Sequence, residues 1–137
     1  MASGMELPNY GTVFVTVADA DKEEVLPLVR RFYHLGFNIQ ATRGTGEFLK
    51  NNGIRTHILR KLSEGSDEVL QAIRQGHLAY IINTSGVGQT DSERDGQRIR
   101  LAATEYNVNL FTSLDTVKTL LDVLEEITME ISTIDGE

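Results

Sequence analysis

The sequence predicts an α/β fold, a three-layer doubly wound sheet of about five parallel strands. Five short runs rich in β-branched and aromatic residues alternate along the chain with five segments of helical period. Short connections join these segments, and no internal repeat interrupts them. The runs are apolar throughout rather than alternating, which is typical of parallel strands that are covered by helices on both faces. With 137 residues the chain can bury one such core without a disulfide or a metal.

Each strand is predicted from an apolar run, and each helix from apolar residues spaced three or four positions apart. The predicted strands span 12–17, 37–41, 56–59, 78–83 and 108–111. Asp21 is the expected N-cap of the first helix, and Gly36 the residue that ends it. Asp67 opens the third helix, which stops at Gly76. The last helix begins after Ser113, and its apolar seam consists of Val117, Leu120, Leu121 and Leu124.

The chain is predicted to hold one domain, at 11–129. A leader or linker at 1–10 precedes it, and a polar tail at 130–137 follows, because the helical pattern fades after Met129. No apolar run approaches the ~20 residues that span a bilayer, and the first residues lack a signal-peptide pattern, so we expect a cytoplasmic protein without membrane contact.

Composition excludes several kinds of site. The chain has no cysteine, so disulfides, thiolate metal sites and cysteine nucleophiles are absent. The net charge is −7, and seven acidic residues against one lysine from Asp115 onward account for −6 of it. Nucleic acid is not an expected partner, because a long polyanion would find no basic stripe to lie on. The three histidines have no metal-ligand spacing, so no metal site is expected.

Ligands of doubly wound sheets bind at the carboxyl ends of the strands. Four loops are predicted there, at 16–22, 42–46, 60–65 and 83–88. Their polar side chains are hydroxyls, amides and cations, with few carboxylates: Thr16, Lys22, Thr42, Arg43, Thr45, Lys61, Asn83, Thr84 and Ser85. Such a set can neutralise and orient a phosphate, and Asn83 could contact a ribose or a base edge.

The turn at 42–46 allows two interpretations. A strand, a Thr-Arg-Gly-Thr-Gly turn and a helix in succession offer backbone N–H groups and a helix N-terminus to an anion. Threonine and glycine also serve in such turns simply as helix caps and flexible positions. Asp19 and Asp21 are interpreted as turn and cap residues, and Glu64, Asp67 and Asp91 as exposed, so the sequence indicates no catalytic acid or base.

Several motifs in order resemble the methylglyoxal synthase-like domain family, and within it the C-terminal regulatory domains of carbamoyl phosphate synthetase large subunits. The resemblance covers about 11–127 and rests on four motifs: Thr16 followed by Asp21-Lys22, Ala-Thr-Arg-Gly-Thr at 41–45, Lys61 followed by a Glu-Gly loop, and Ile-Ile-Asn-Thr at 81–84. It implies phosphate contacts at Lys22, Thr42, Thr45 and Lys61, and further effector contacts at Thr16, Asn83, Thr84 and Ser85.

The resemblance also implies a function and partners. The effector would be UMP, an inhibitor, or IMP in some members. The isolated domain would need no cofactor and catalyse nothing. The parent enzyme would use ATP and Mg, and the domain's partners would be the synthetase domains of the same chain and a glutaminase small subunit, in pyrimidine or arginine biosynthesis.

Three departures from the family pattern bear on the alternatives. Members that respond to ornithine have a tyrosine where this chain has Leu110, which argues against an ornithine site. A serine common in the fourth helix is Gly96 here. True methylglyoxal synthases carry aspartates at the positions of Ser66 and Asn83. The alternative function, a lyase acting on dihydroxyacetone phosphate, would therefore lack its carboxylates, although Asp67 is one position away. A structural module that binds no ligand is a third interpretation.

Overall fold

The computed structural model describes residues 10–61, 65–84 and 90–135, with side chains in the last segment from 94 to 129. In chain order the elements are β1 (Thr12–Thr16), a 3-10 turn (Asp19–Asp21), α1 (Lys22–His34), β2 (Asn38–Thr42), α2 (Arg43–Asn51), β3 (His57–Leu59), α3 (Glu68–Arg74), β4 (Leu78–Asn83), α4 (Thr90–Glu105), β5 (Asn109–Phe111) and α5 (Leu114–Asp135). None of the helices in these ranges is long and apolar enough to cross a membrane.

The five strands form one sheet in the order β3-β2-β1-β4-β5, and every neighbouring pair is parallel. The chain runs outward from β1 through β2 to β3, and then returns to the other side of β1 to form β4. Strand order therefore reverses between β1 and β4, where the last residues of the two strands, Thr16 and Asn83, are paired in register. The crevice at the carboxyl ends of these strands is where open α/β sheets bind ligands.

Helices cover both faces of the sheet, because successive strand residues point to opposite sides. Val13 and Val15 pack in a cluster with buried residues of α1, α2 and α5. Phe14, between them, packs in a second cluster with residues of α3 and α4. Two hydrophobic cores on opposite faces of a parallel sheet confirm the predicted three-layer α/β fold.

The predicted helix ends are confirmed where glycine was the signal. Gly36 and Gly76 have φ of +100° and +76°, the left-handed conformation in which glycine alone has no steric penalty. The prediction for Asp21 is only half right. Asp21 does precede α1, but its side chain makes no capping hydrogen bond, because the 3-10 turn already places its backbone in a helical conformation with φ −99° and ψ −3°.

Two boundaries differ from prediction. The turn expected at 42–46 is instead the last residue of β2 followed directly by the first turn of α2, which begins at Arg43. The last helix continues to Asp135, through most of the segment expected as a polar tail. Each added residue contributes one hydrogen bond to an existing helix, so a helix can extend beyond the last residue of its apolar pattern. Residues 1–9 of the leader predicted at 1–10 lie outside the described residues, as do Glu64 and the predicted site residue Ser85.

Candidate functional site

The site is built on the carboxyl ends of β1, β2 and β4, around a pair of threonines. Thr16 ends β1 and Thr42 ends β2, and their Oγ1 atoms are 3.0 Å apart in a hydrogen bond. Thr42 is 5 % exposed, so its hydroxyl lies at the floor of the site. This contact follows from the register, since Val15 and Ala41, one residue earlier on each strand, are paired.

Two further threonines hold the loop that follows β1. The backbone N–H of Val17 donates to Thr45 Oγ1 over 3.3 Å, and the N–H of Ala18 donates to Thr84 Oγ1 over 3.0 Å. Because each threonine oxygen accepts a hydrogen bond from the backbone, its own hydroxyl hydrogen remains as a donor. These contacts bring α2 and the end of β4 to the same loop and leave donors at the site.

The N-terminus of α2 opens at this edge. Thr42 is its N-cap residue, yet the Thr42 side chain makes no capping hydrogen bond and pairs with Thr16 instead. The first-turn N–H groups of α2 are therefore not capped by that side chain. Unpaired N–H groups and the helix dipole together attract an anion to such a position.

Lys22 reaches into the site from the first residue of α1. Its Nζ forms a 2.7 Å ion pair with Asp19 Oδ1, and its side chain is only 22 % exposed. The same Nζ lies 3.5 Å from where a β-carbon on Gly44 would stand, so the ammonium lies against the first turn of α2.

The charge of a second lysine also acts on Asp19. The hydrogen bond from Lys22 and the charge of Lys22 lower the pKa of the Asp19 carboxyl, and the charge of Lys61 after β3 lowers it further. The interpretation of Asp19 as a turn residue is therefore incomplete, because Asp19 is also the ion-pair partner of Lys22.

Asn83 is the remaining polar group of the floor. It is 4 % exposed, and its Oδ1 atom is buried without a hydrogen-bond partner among the described residues. A buried acceptor without a partner costs roughly 1–3 kcal/mol, and such atoms occur at sites that a water or a ligand completes.

The structure brings together most of the residues that the sequence predicted. The hydroxyls of Thr16 and Thr42 are in contact, Thr45 and Thr84 share one loop, and Lys22 lies over α2. Asn83 is paired in register with Thr16. Lys61 lies two residues after the end of β3, and Ser85 lies outside the described residues. That these residues bind a ligand stays a prediction.

Sequence reasoning missed two features of the site. The first is the Asp19–Lys22 pair, which the i, i+3 spacing of opposite charges could have indicated. The second is Gly46, where an added β-carbon would stand 2.7 Å from Ile58 Cγ1, so that only glycine lets α2 lie this close to β3. No sequence signal separates Gly46 from Gly44, because both occupy the same turn.

Carboxylates are scarce in the interior. The buried polar residues of the described chain are four threonines and one asparagine: Thr12, Thr42, Thr45, Thr56 and Asn83. Within the same ranges, no group of three or more histidine or acidic residues could hold a metal ion. The buried polar groups of the described part of the site are therefore hydroxyls and one amide.

Comparisons with known proteins agree with this fold and with the motifs. The family model of the MGS-like domain matches residues 24–112. The chain is 41 % identical over 125 residues to the C-terminal section of the carbamoyl phosphate synthase large chain of Methanopyrus kandleri, an alignment that covers 91 % of this chain and 23 % of that protein. It thus spans about a quarter of that relative's length.

A solved structure shares the fold. The methylglyoxal synthase of Elizabethkingia anophelis NUHP1 superposes with a TM-score of 0.68 at 16 % sequence identity, over 84 % of this chain and 79 % of that one. At this identity the likeness concerns the fold alone, whereas the family model covers well over half of the sequence. The chain belongs to the MGS-like domain family.

Proposed function

We propose that this chain is the allosteric effector-binding domain of a carbamoyl phosphate synthase large chain, and that it binds a nucleoside monophosphate. UMP is the first candidate and IMP the second. The 41 % identity to the C-terminal section of such a large chain supports the assignment. The other parts of that large chain, with ATP and Mg, would carry out synthesis, and a glutaminase subunit would supply ammonia in the cytoplasm.

One observation carries the proposal: the donors at the carboxyl ends of β1 and β2 suit a phosphate. The first turn of α2 offers N–H groups, Thr45 offers a hydroxyl hydrogen, and Lys22 places its positive charge against Gly44 in that turn. A phosphate dianion with three terminal oxygens can use all of these donors at once. Lys61 would add a second cation.

The nucleoside would extend from the phosphate toward the end of β4. Asn83 Oδ1 is an acceptor without a partner among the described residues, and a ribose hydroxyl or a base N–H would satisfy it. Thr84 lies beside it, with its oxygen already bonded to the N–H of Ala18. Its hydroxyl hydrogen would be available to donate to an acceptor on the ligand. This part of the site would distinguish one nucleotide from another.

The same residue argues against the lyase alternative. Proton abstraction next to a carbonyl requires a base, and the amide of Asn83 cannot act as one. No described carboxylate is buried at this edge, and Asp19 is engaged by Lys22. We therefore expect the domain to bind and release its ligand unchanged.

Regulation would then be a coupling between two sites of the large chain. UMP must bind more tightly to the less active conformation of the whole enzyme, and such coupling is typically worth ~1–3 kcal/mol. The isolated domain should bind the nucleotide without showing that coupling.

Calorimetric titration of the 137-residue chain with UMP and IMP tests the proposal, with dihydroxyacetone phosphate as the lyase substrate. The test variant is Lys61→Ala. Lys50→Ala, an exposed lysine in the last turn of α2, is the matched control because it removes the same charge away from the site. Saturable nucleotide binding that Lys61→Ala abolishes and Lys50→Ala preserves supports the assignment. Consumption of dihydroxyacetone phosphate without nucleotide binding would replace it with the lyase.

A further inference from the structure

Asp19 places a negative charge inside a site that otherwise suits an anion. Its Oδ1 lies 2.7 Å from Lys22 Nζ, the ammonium that lies against the first turn of α2. The side chain of Asp19 is 82 % exposed, whereas that of Lys22 is 22 % exposed. The carboxylate thus approaches the ammonium from the solvent side, the direction from which a ligand must also come.

Asp19 does not act as a helix cap. It begins the 3-10 turn, whose N-cap is Ala18, and no side-chain hydrogen bond caps that turn. Its pKa is lowered by Lys22 first and by Lys61 in addition, so both predicted phosphate-binding lysines act on this one carboxylate. Asp19 therefore pairs with the same ammonium that the phosphate of a ligand would use.

We propose that Asp19 is a built-in counter-anion of the site, which occupies Lys22 in the ligand-free protein and must be displaced by the phosphate of the effector. This inference rests on the proposed function, because it takes a phosphorylated ligand as the competitor. It adds a competitor to that function: the carboxylate must leave Lys22 before the phosphate can pair with the ammonium.

The energetics make displacement feasible. An i, i+3 ion pair with one exposed partner is weak, so the carboxylate leaves Lys22 at little cost and is at once solvated. A phosphate bound to Lys22, Thr45 and α2 replaces that single contact with several charge-assisted hydrogen bonds. The displaced Asp19 still repels the bound dianion, so the native residue lowers affinity throughout.

Asp19→Asn isolates this effect. The amide keeps the size of the side chain and removes its charge, and at an exposed position it leaves the fold intact. With the separation of the two charges at several ångströms and an effective dielectric near that of water, the expected gain is about three- to tenfold in affinity for phosphate and for UMP. Uridine has no phosphate and should bind both proteins equally.

Asp21→Asn is the matched control. It lies two residues away in the same 3-10 turn, changes the net charge by the same amount, and its side chain makes no capping hydrogen bond. An unspecific effect of net charge would appear in both variants. A gain confined to Asp19→Asn locates the effect at the Lys22 pair.

Titrations of the three proteins with inorganic phosphate, UMP and uridine separate the outcomes. Tighter phosphate and UMP binding by Asp19→Asn alone supports the inference. Unchanged affinity overturns it, and weaker affinity overturns it in favour of a role in orienting Lys22. If inorganic phosphate binds and no nucleotide does, the proposed function fails, and the response of phosphate to Asp19→Asn still decides the role of Asp19. Absence of phosphate binding to all three proteins overturns both.

Discussion

Gly44 and Gly46 flank Thr45 in the first turns of α2. The structure predicts that substitution by alanine has opposite effects on stability at these two positions. A β-carbon on Gly46 would stand 2.7 Å from Ile58 Cγ1 and 3.3 Å from its Cδ1, closer than packed carbons approach. A β-carbon on Gly44 would meet Lys22 Nζ at 3.5 Å, an ordinary contact. Alanine is the better helix former at both positions, so the difference between the two variants measures packing against β3.

The expected magnitudes follow from two opposing terms. Alanine gains up to about 1 kcal/mol over glycine within a helix. At Gly46 this gain opposes an overpacking cost of about 1–3 kcal/mol, because Ile58 is branched at the contact and is held by its strand. Gly46→Ala should therefore unfold about 1 kcal/mol more easily than the parent protein. Gly44→Ala should be as stable as the parent protein, or more stable by up to about 1 kcal/mol.

Urea denaturation of the two variants and the parent protein measures these differences directly. Nucleotide titration of the same samples adds the functional contrast. The methyl group of Gly44→Ala would stand beside Lys22 and should weaken UMP binding, whereas folded Gly46→Ala keeps its lysine contacts. Equal stability of the two variants would falsify the claim that α2 packs against Ile58 too closely for a β-carbon.

Three further predictions concern named hydrogen bonds and ionisable groups. Thr45→Val leaves the buried N–H of Val17 without its acceptor and should lower the free energy of unfolding by about 1–2 kcal/mol in urea denaturation, more than Thr116→Val at an exposed site. Glu125→Gln should lower the free energy of unfolding by about 0.5–1 kcal/mol at pH 7, because Arg31 of α1 donates two hydrogen bonds to Glu125 of α5. Arg31 also lowers the pKa of Glu125, so the difference in stability from the parent protein should disappear as the pH falls through that pKa. Burial raises the pKa of Tyr80 to about 12, so the stability that Tyr80 contributes is complete below pH 10 and should decline by up to about 3 kcal/mol toward pH 12, a decline that Tyr80→Phe removes.

Each of these has an outcome that contradicts it. Equal losses in Thr45→Val and Thr116→Val would mean that the 3.3 Å contact of Val17 contributes nothing. If the stability difference between Glu125→Gln and the parent protein persists at acid pH, the difference comes from packing rather than from charge. Parallel alkaline stability curves for Tyr80→Phe and the parent protein would place the alkaline loss on other groups.

Much of the fold was predictable because its signals are local. The run Leu78–Ile82 is apolar on both faces and ends at Asn83, and the structure has a strand at Leu78–Asn83 with all six residues buried. Gly36 and Gly76 end helices because positive φ is a property of the single residue. The α5 seam at Val117, Leu120, Leu121 and Leu124 is buried because its helical spacing leaves one face for the sheet.

The site was predictable in its membership and not in its contacts. Strand ends gather at one edge in any parallel sheet, so the threonines and lysines could be grouped from the order of elements alone. Which atoms meet depends on sheet order, and β1 lies between β2 and β4 only because the chain crosses back after β3. The contacts of Thr16 with Thr42 and of Ala18 with Thr84 span 26 and 66 residues and carry no local signal.

The hydrogen bonds of the site also suggest how ligand binding would be transmitted to other parts of the domain. The loop after β1 is held at Val17 by Thr45 of α2 and at Ala18 by Thr84 after β4, and it carries Asp19 and Lys22 directly afterwards. A phosphate that engages Thr45 and Lys22 together therefore acts on both ends of this loop, and α1 begins where the loop ends. Since α1 is tied to α5 through Arg31, with Glu125 and Asp122 at 2.7 and 2.8 Å, these ion pairs connect a shift of the loop and α1 to α5. Physical continuity alone is not coupling. Under the proposed function, Arg31→Met should leave the UMP affinity of the isolated chain unchanged while reducing any inhibition of the intact synthase by UMP. Unreduced inhibition would exclude α1 and α5 from the signal.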